Sequence, residues 1–113
     1  MALPINVFRS VTAVLSDTPE VVYETPANNT SIILMAQVAN IDSSESHDVT
    51  FSLVENPGGT ETELVKDFAI PPNDAASLVT GKLIVETGNE LKASASTPNQ
   101  LKLTLSILES RNA

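Results

Sequence analysis

The 113-residue sequence has no cysteine, no tryptophan, a single histidine and few aromatic side chains, 4% of the total. Each shortage closes off a class of function. Without cysteine there is no disulfide, no thiolate nucleophile and no zinc ribbon, and the redox compartment stays open. With so few aromatics the core has to be aliphatic, made from Val, Leu, Ile and Ala, and stacking platforms for sugars or bases are scarce. Basic residues are also in deficit, six against 14 acidic, which sets a formal net charge of −8. That sign repels phosphate backbones and anionic lipid, so neither nucleic acid nor a membrane surface is an expected partner. No run approaches the roughly 18 apolar residues that span a bilayer. Residues 1–8 hold Pro4 and Asn6 and lack a basic leader, so no secretory signal is expected.

What is present is alternation. Apolar residues make up 42% of the chain against 18% charged, enough to build a core. At this length one core is expected, hence one domain over residues 1–113. Leu101, Leu103, Leu105 and Ile107 share one face of a segment whose other face carries Lys102, Thr104 and Ser106. Val49, Phe51 and Leu53 alternate with Asp48, Thr50 and Ser52 in the same way, as do Leu91, Ala93 and Ala95 with Lys92, Ser94 and Ser96. This period of two marks half-buried strands. Turn-forming clusters separate the runs, among them Asn56-Pro57-Gly58-Gly59, Pro71-Pro72-Asn73-Asp74 and Thr87-Gly88-Asn89. The resulting strand units are 4–15, 21–24, 30–41, 47–55, 61–70, 75–86, 90–96 and 101–108. Eight short strands without intervening helices predict an all-β fold, an antiparallel two-sheet β-sandwich of jelly-roll or immunoglobulin-like type. Alternation does not decide between the two.

One run departs from the pattern. Ile32 and Leu34 fall on one face while Ile33 and Met35 fall on the other, so both faces call for cover. A neighbouring chain over the second face satisfies this; so does a bulge or a folded-over loop.

Chemistry is thinly supplied. His47 lies in the connection Asp42-Ser43-Ser44-Glu45-Ser46-His47-Asp48. A serine nucleophile with a His–carboxylate pair needs a scaffold that a local loop does not provide, so a solvated turn is expected there. Asp42, Glu45 and Asp48 offer oxygens to a hard cation but lack the spacing, central glycine and distal glutamate of the helix-flanked calcium loop. Glu61, Glu63 and Asp67 read as a solvent face, with Lys66 on the other side. The two Asn-X-Ser/Thr matches at Asn28 and Asn29 have no secretion signal to make use of them. Gly58-Gly59 opens a turn with no helix after it, so it is no phosphate loop. The basic residues are dispersed. No catalytic residue, cofactor or metal is expected.

The stretch Val22-Tyr23-Glu24-Thr25-Pro26, a polar turn, then residues 31–40 (SIILMAQVAN) resembles small virion structural proteins of tailed bacteriophages, especially phages of marine cyanobacteria. Residues 68–78 (FAIPPNDAASL), 81–91 (GKLIVETGNEL) and 101–109 (LKLTLSILE) extend the likeness, which covers about residues 3–108. The resemblance implies a β-sandwich subunit made in the host cytoplasm and mounted in the virion, on capsid or tail. Its leading form is a decoration or accessory subunit that binds the major shell; the alternative is a tail-fibre or baseplate module contacting host glycans. Other virion proteins and further copies of itself, with a trimer as the guess, are then the expected partners. The expected contact residues are Ile5, Phe8, Ile33, Met35 and Leu108.

Overall fold

Alternation along the chain becomes nine strands in the computed structural model, which describes residues 6–112. They are β1 (Asn6–Val14), β2 (Glu20–Glu24), β3 (Asn29–Asn40), β4 (His47–Glu55), β5 (Thr60–Ile70), β6 (Ala75–Ser77), β7 (Leu83–Val85), β8 (Glu90–Ala95) and β9 (Leu101–Arg111). No helix among the described residues is long and apolar enough to cross a membrane. The expected strand 75–86 divides in two. Between its halves Leu78 turns its N–H to the Ala36 carbonyl at 2.8 Å, and Gly81 takes a φ of 78°, a left-handed conformation that a strand interior does not allow. Both halves still pair with β3, β6 at its C-terminal end and β7 at its N-terminal end.

All pairing is antiparallel, in one sheet ordered β1-β9-β3 with β6 and β7 along its far edge, and a second ordered β2-β8-β4-β5. With β6 and β7 taken as one interrupted strand, the pairs nest. The β4–β5 hairpin is innermost, then β3 with β6/β7, then β2 with β8, and β1 with β9 outermost. A long hairpin rolled into two sheets has this order, the jelly roll. The immunoglobulin sandwich keeps its first two strands side by side, whereas β1 and β2 here lie in different sheets.

Between the sheets lies an aliphatic core in which Phe51, Ile33, Val38, Leu91, Leu103 and Leu105 are all but inaccessible to solvent. The doubly apolar run is resolved within the chain by a register shift of β3 against β9 between Ile33 and Met35. Ser31 and Ile33 point inward before the shift, and Ala36, Val38 and Asn40 after it, so Leu34 and Met35 both turn outward. The bulge is therefore present, but it re-aims the run and does not cover it: Ile32, Leu34 and Met35 all face outward.

Candidate interaction face

The register places Phe8 opposite Leu108, Leu108 opposite Ile32, and Ile32 opposite Ile84. Directly paired residues share a face. Since Ile107, Ile33 and Val85 fill the inward positions next to them, this row runs across the outer surface of the first sheet. Phe8 is 75% exposed and Ile84 59%, with Leu34 and Met35 on the adjoining row beside Ser10 and Ser106. Thr12, Thr104 and Gln37 continue the surface, and among its paired strand residues the only charge is Lys102, at the Val14 end.

The outer surface of the second sheet is built from the same kind of row and carries the opposite character. Glu24 faces Glu90, Glu90 faces Val54, and Val54 faces Glu61. Glu63 and Asp48 lie on the same side, and Lys92 reaches Glu61 at 3.8 Å. Counted over paired strand residues, a chain of net charge −8 thus has one sheet face without a carboxylate, with Glu86 following β7 at its margin, and one lined with them. Contiguous exposed apolar rows in a water-facing sheet are the usual candidates for contact surfaces.

Of the residues singled out in the sequence, Phe8, Met35 and Leu108 lie on the apolar outer face. Ile33 is buried in the core, because the bulge gives its place on the surface to Leu34. Ile5 lies outside the described residues. Ile84 and Ile32 complete the row and were not singled out, since nothing in their local alternation says which strand lies beside them.

Two polar clusters among the described residues are closed by their own hydrogen bonds. Asp42 Oδ1 accepts the Ser44 N–H at 2.9 Å and the Ser44 hydroxyl at 3.0 Å, and its Oδ2 accepts from His47 Nε2 at 2.8 Å. The serine hydroxyl is turned to the carboxylate and away from the imidazole, so no nucleophile–base pair forms. His47 is 5% exposed as the first residue of β4, in place of the solvated turn expected there. Asp42, Glu45 and His47 bring ligand atoms within 4.8 Å of one another, with His47 taking the position expected of Asp48, whose backbone N–H instead donates to Ser96. Asp42, however, is already engaged as the clamp of its own loop. Chiefly the Ser44 backbone N–H, and then His47, hold its carboxyl down at about 2. A depressed carboxyl stabilises the fold above its ordinary value, 3.8, and loses that contribution as pH falls to about 2. Acid unfolding followed by circular dichroism should therefore show a stability slope between about pH 4 and pH 2 that is reduced in Asp42→Asn.

The second cluster lies at the opposite end of β3. Tyr23 of the second sheet donates its hydroxyl to Glu109 of the first and shares a 2.7 Å hydrogen bond with Ser31. Thr25 donates to the Val85 carbonyl at 2.9 Å, and Arg9 Nε sits 3.2 Å from Glu109. Glu109 is 5% exposed and Thr25 1%. The network staples sheet to sheet around a carboxylate that has no room for a substrate. A concavity of about 340 Å³ beside the strands is an open depression bounded by Thr12, Ala13, Val14, Lys102, Leu103 and Thr104.

No family model matches the chain, and no curated protein matches it. Solved structures do. A protein of the Bacillus endospore appendages, described as a family of disulfide-linked pili, superposes with a TM-score of 0.58 at 10% identity, over 96% of this chain and 88% of that one. A pentameric capsid protein from metagenomic phage sequences gives 0.44 at 14% identity, over 89% of this chain and 61% of its own. The VP2 subviral particle of infectious bursal disease virus gives 0.46 at 8% identity, over 96% of this chain and 38% of its own. The appendage match shows a shared fold, and viral capsid proteins are among the structural neighbours.

Proposed function

We propose that this chain is a structural subunit of a virion, a capsid decoration or accessory protein that lays the apolar outer face of its first sheet on the major shell. The observation that carries this reading is the Phe8–Leu108–Ile32–Ile84 row, an apolar strip on a surface without carboxylates among its paired strand residues in an otherwise acidic protein. Such a strip gains by being covered, and repetition over a symmetric shell turns modest contacts into firm attachment. The sequence resemblance to phage virion proteins points the same way. The pilus proteins that share the fold are described as disulfide-linked; a chain without cysteine has to assemble by non-covalent contact. The glycan-binding alternative asks for aromatic rings gathered in a concavity. The exposed aromatics Phe8 and Phe68 sit on different sheets.

Mass spectrometry of purified particles from an infection that expresses this gene should find the chain in tens to hundreds of copies, the range set by shell symmetry. Shells assembled without it should bind the purified protein, and Ile84→Asp combined with Leu34→Asp should weaken that binding at least about tenfold by placing charge in a dry contact. Particles that lack the chain would sink the reading.

A further inference from the structure

The edges of the two sheets are guarded unequally. β5 carries Glu61, Glu63, Lys66 and Asp67, and its register against β4 shifts twice. β2 is five residues long with a shift between Val21 and Tyr23, and β6 and β7 are three residues each. Charge, irregularity and shortness are the ordinary protections against strand addition. β1 is neither short nor irregular, and it carries a single charge. Its nine residues pair with β9 in unbroken register, and they include no proline, lysine or carboxylate. Its one charge, Arg9, lies toward Glu109 at 3.2 Å.

We propose that β1 pairs edge to edge with β1 of a second copy, antiparallel about a two-fold axis through Val11. The occupant follows from charge. Two molecules of net charge −8 repel wherever their carboxylates meet, and β1 is a long edge that brings none to the seam. The register follows from the side chains. Outward residues must oppose outward residues for the two faces to continue into each other, which puts the axis on a residue and not between two. An axis through Arg9 sets two guanidinium groups opposite one another. An axis through Ser10 leaves Phe8 against a threonine. Through Val11, Phe8 meets the partner's Val14 on both sides of the axis, covering two side chains that are 75% and 54% exposed in the single chain. Aromatic and β-branched residues in direct opposition make favourable cross-strand pairs. The product is a two-fold dimer in place of the guessed trimer, with the apolar faces joined into one surface of twice the width. The pairing rests on the edge alone and stands whether or not that surface docks on a shell.

Native mass spectrometry and sedimentation of the whole chain at tens of micromolar should give twice 12.0 kDa. Because the sequence has no other cysteine, Val11→Cys tests the axis directly. Residues in direct opposition have Cα atoms about 4.5–5.5 Å apart, within disulfide reach, so mild oxidation should yield a covalent dimer. Thr62→Cys, on the guarded β5 edge, should form no covalent dimer under the same treatment. Val14→Asp, at an exposed position, should give a monomer with an unchanged β spectrum. A wild-type mass of one chain or of three overturns the proposal, and so does Val11→Cys that cross-links no faster than Thr62→Cys. Ile84→Asp alone, on β7 at the other side of the sheet from β1, should leave the dimer intact while weakening shell binding, so loss of shell binding and loss of pairing are separately visible.

Discussion

Replacing Asn40 with alanine is expected to lower the unfolding free energy by about 3 kcal/mol. Asn40 is 2% exposed at the end of β3, and its amide nitrogen donates to the carbonyls of Glu45 and Ile70, each at 2.9 Å. Its oxygen accepts the Asp42 N–H at 2.9 Å. One side chain thus joins a strand of the first sheet, the end of β5 in the second, and the loop that presents Asp42 to His47. Truncation leaves two carbonyls and an N–H without partners, and each buried orphan costs about 1–3 kcal/mol. Against a typical total of about 5–15 kcal/mol this is a large fraction, and in a thermal melt it should appear as a fall of about 15 °C. Asn40→Asp keeps the oxygen that Asp42 uses and loses both donors while adding a buried charge, so it should be no milder. The acid slope assigned to Asp42 should shrink in both variants, since the loop that shapes it is anchored here. A loss under about 1 kcal/mol in Asn40→Ala would refute this account of the hub.

Tyr23→Phe should cost about 2 kcal/mol, because a hydrogen bond to a buried carboxylate is worth more than one between neutral groups. The phenol covers Glu109, which otherwise keeps only half-exposed Arg9. The companion variant Glu109→Leu removes the carboxylate itself. In the double variant the buried charge and its donor are both gone, so the combined loss should fall short of the sum of the two by more than about 1 kcal/mol. Urea melts of the four proteins measure the difference; strict additivity would mean that the contact carries no energy. Burial, and then the hydrogen bond to Glu109, push the Tyr23 hydroxyl up to about 12. The folded state therefore holds the neutral phenol while the unfolded chain ionises near 10. This contribution is complete below that lower value and disappears as pH rises to the upper one. Tyr23→Phe should flatten the alkaline limb of the stability profile over that interval.

Strand content was legible wherever apolar residues alternate without interruption, as from Leu101 to Ile107. It became less so where pairing continues through polar residues. β9 runs on to Arg111 because Ser110 pairs with Asn6 and Thr30, neither of which announces a strand. The break between β6 and β7 had one local signal, Gly81, set between Thr80 and Lys82. The contact face was half legible. Phe8, Met35 and Leu108 could be suspected from their own segments, but the row they belong to is a matter of cross-strand register, and Ile84 joins it only because β7 lies beside β3. The Tyr23–Glu109 contact spans 86 positions, and His47 is buried by a loop that Asn40 holds down; periodicity carries no trace of either.

The irregularity at Leu34 gives β3 two reading frames, one on each side of it. The shift holds one residue more than the pairing needs, so loss of a single residue near it can be absorbed by closing the shift with Val38 still inward. Loss of Leu34 alone would bring the frames into phase, with Ile33 inward, Met35 outward and Ala36 inward again. The interior does not depend on that residue, whose side chain stands on the outer face beside Phe8, Ser10 and Ser106.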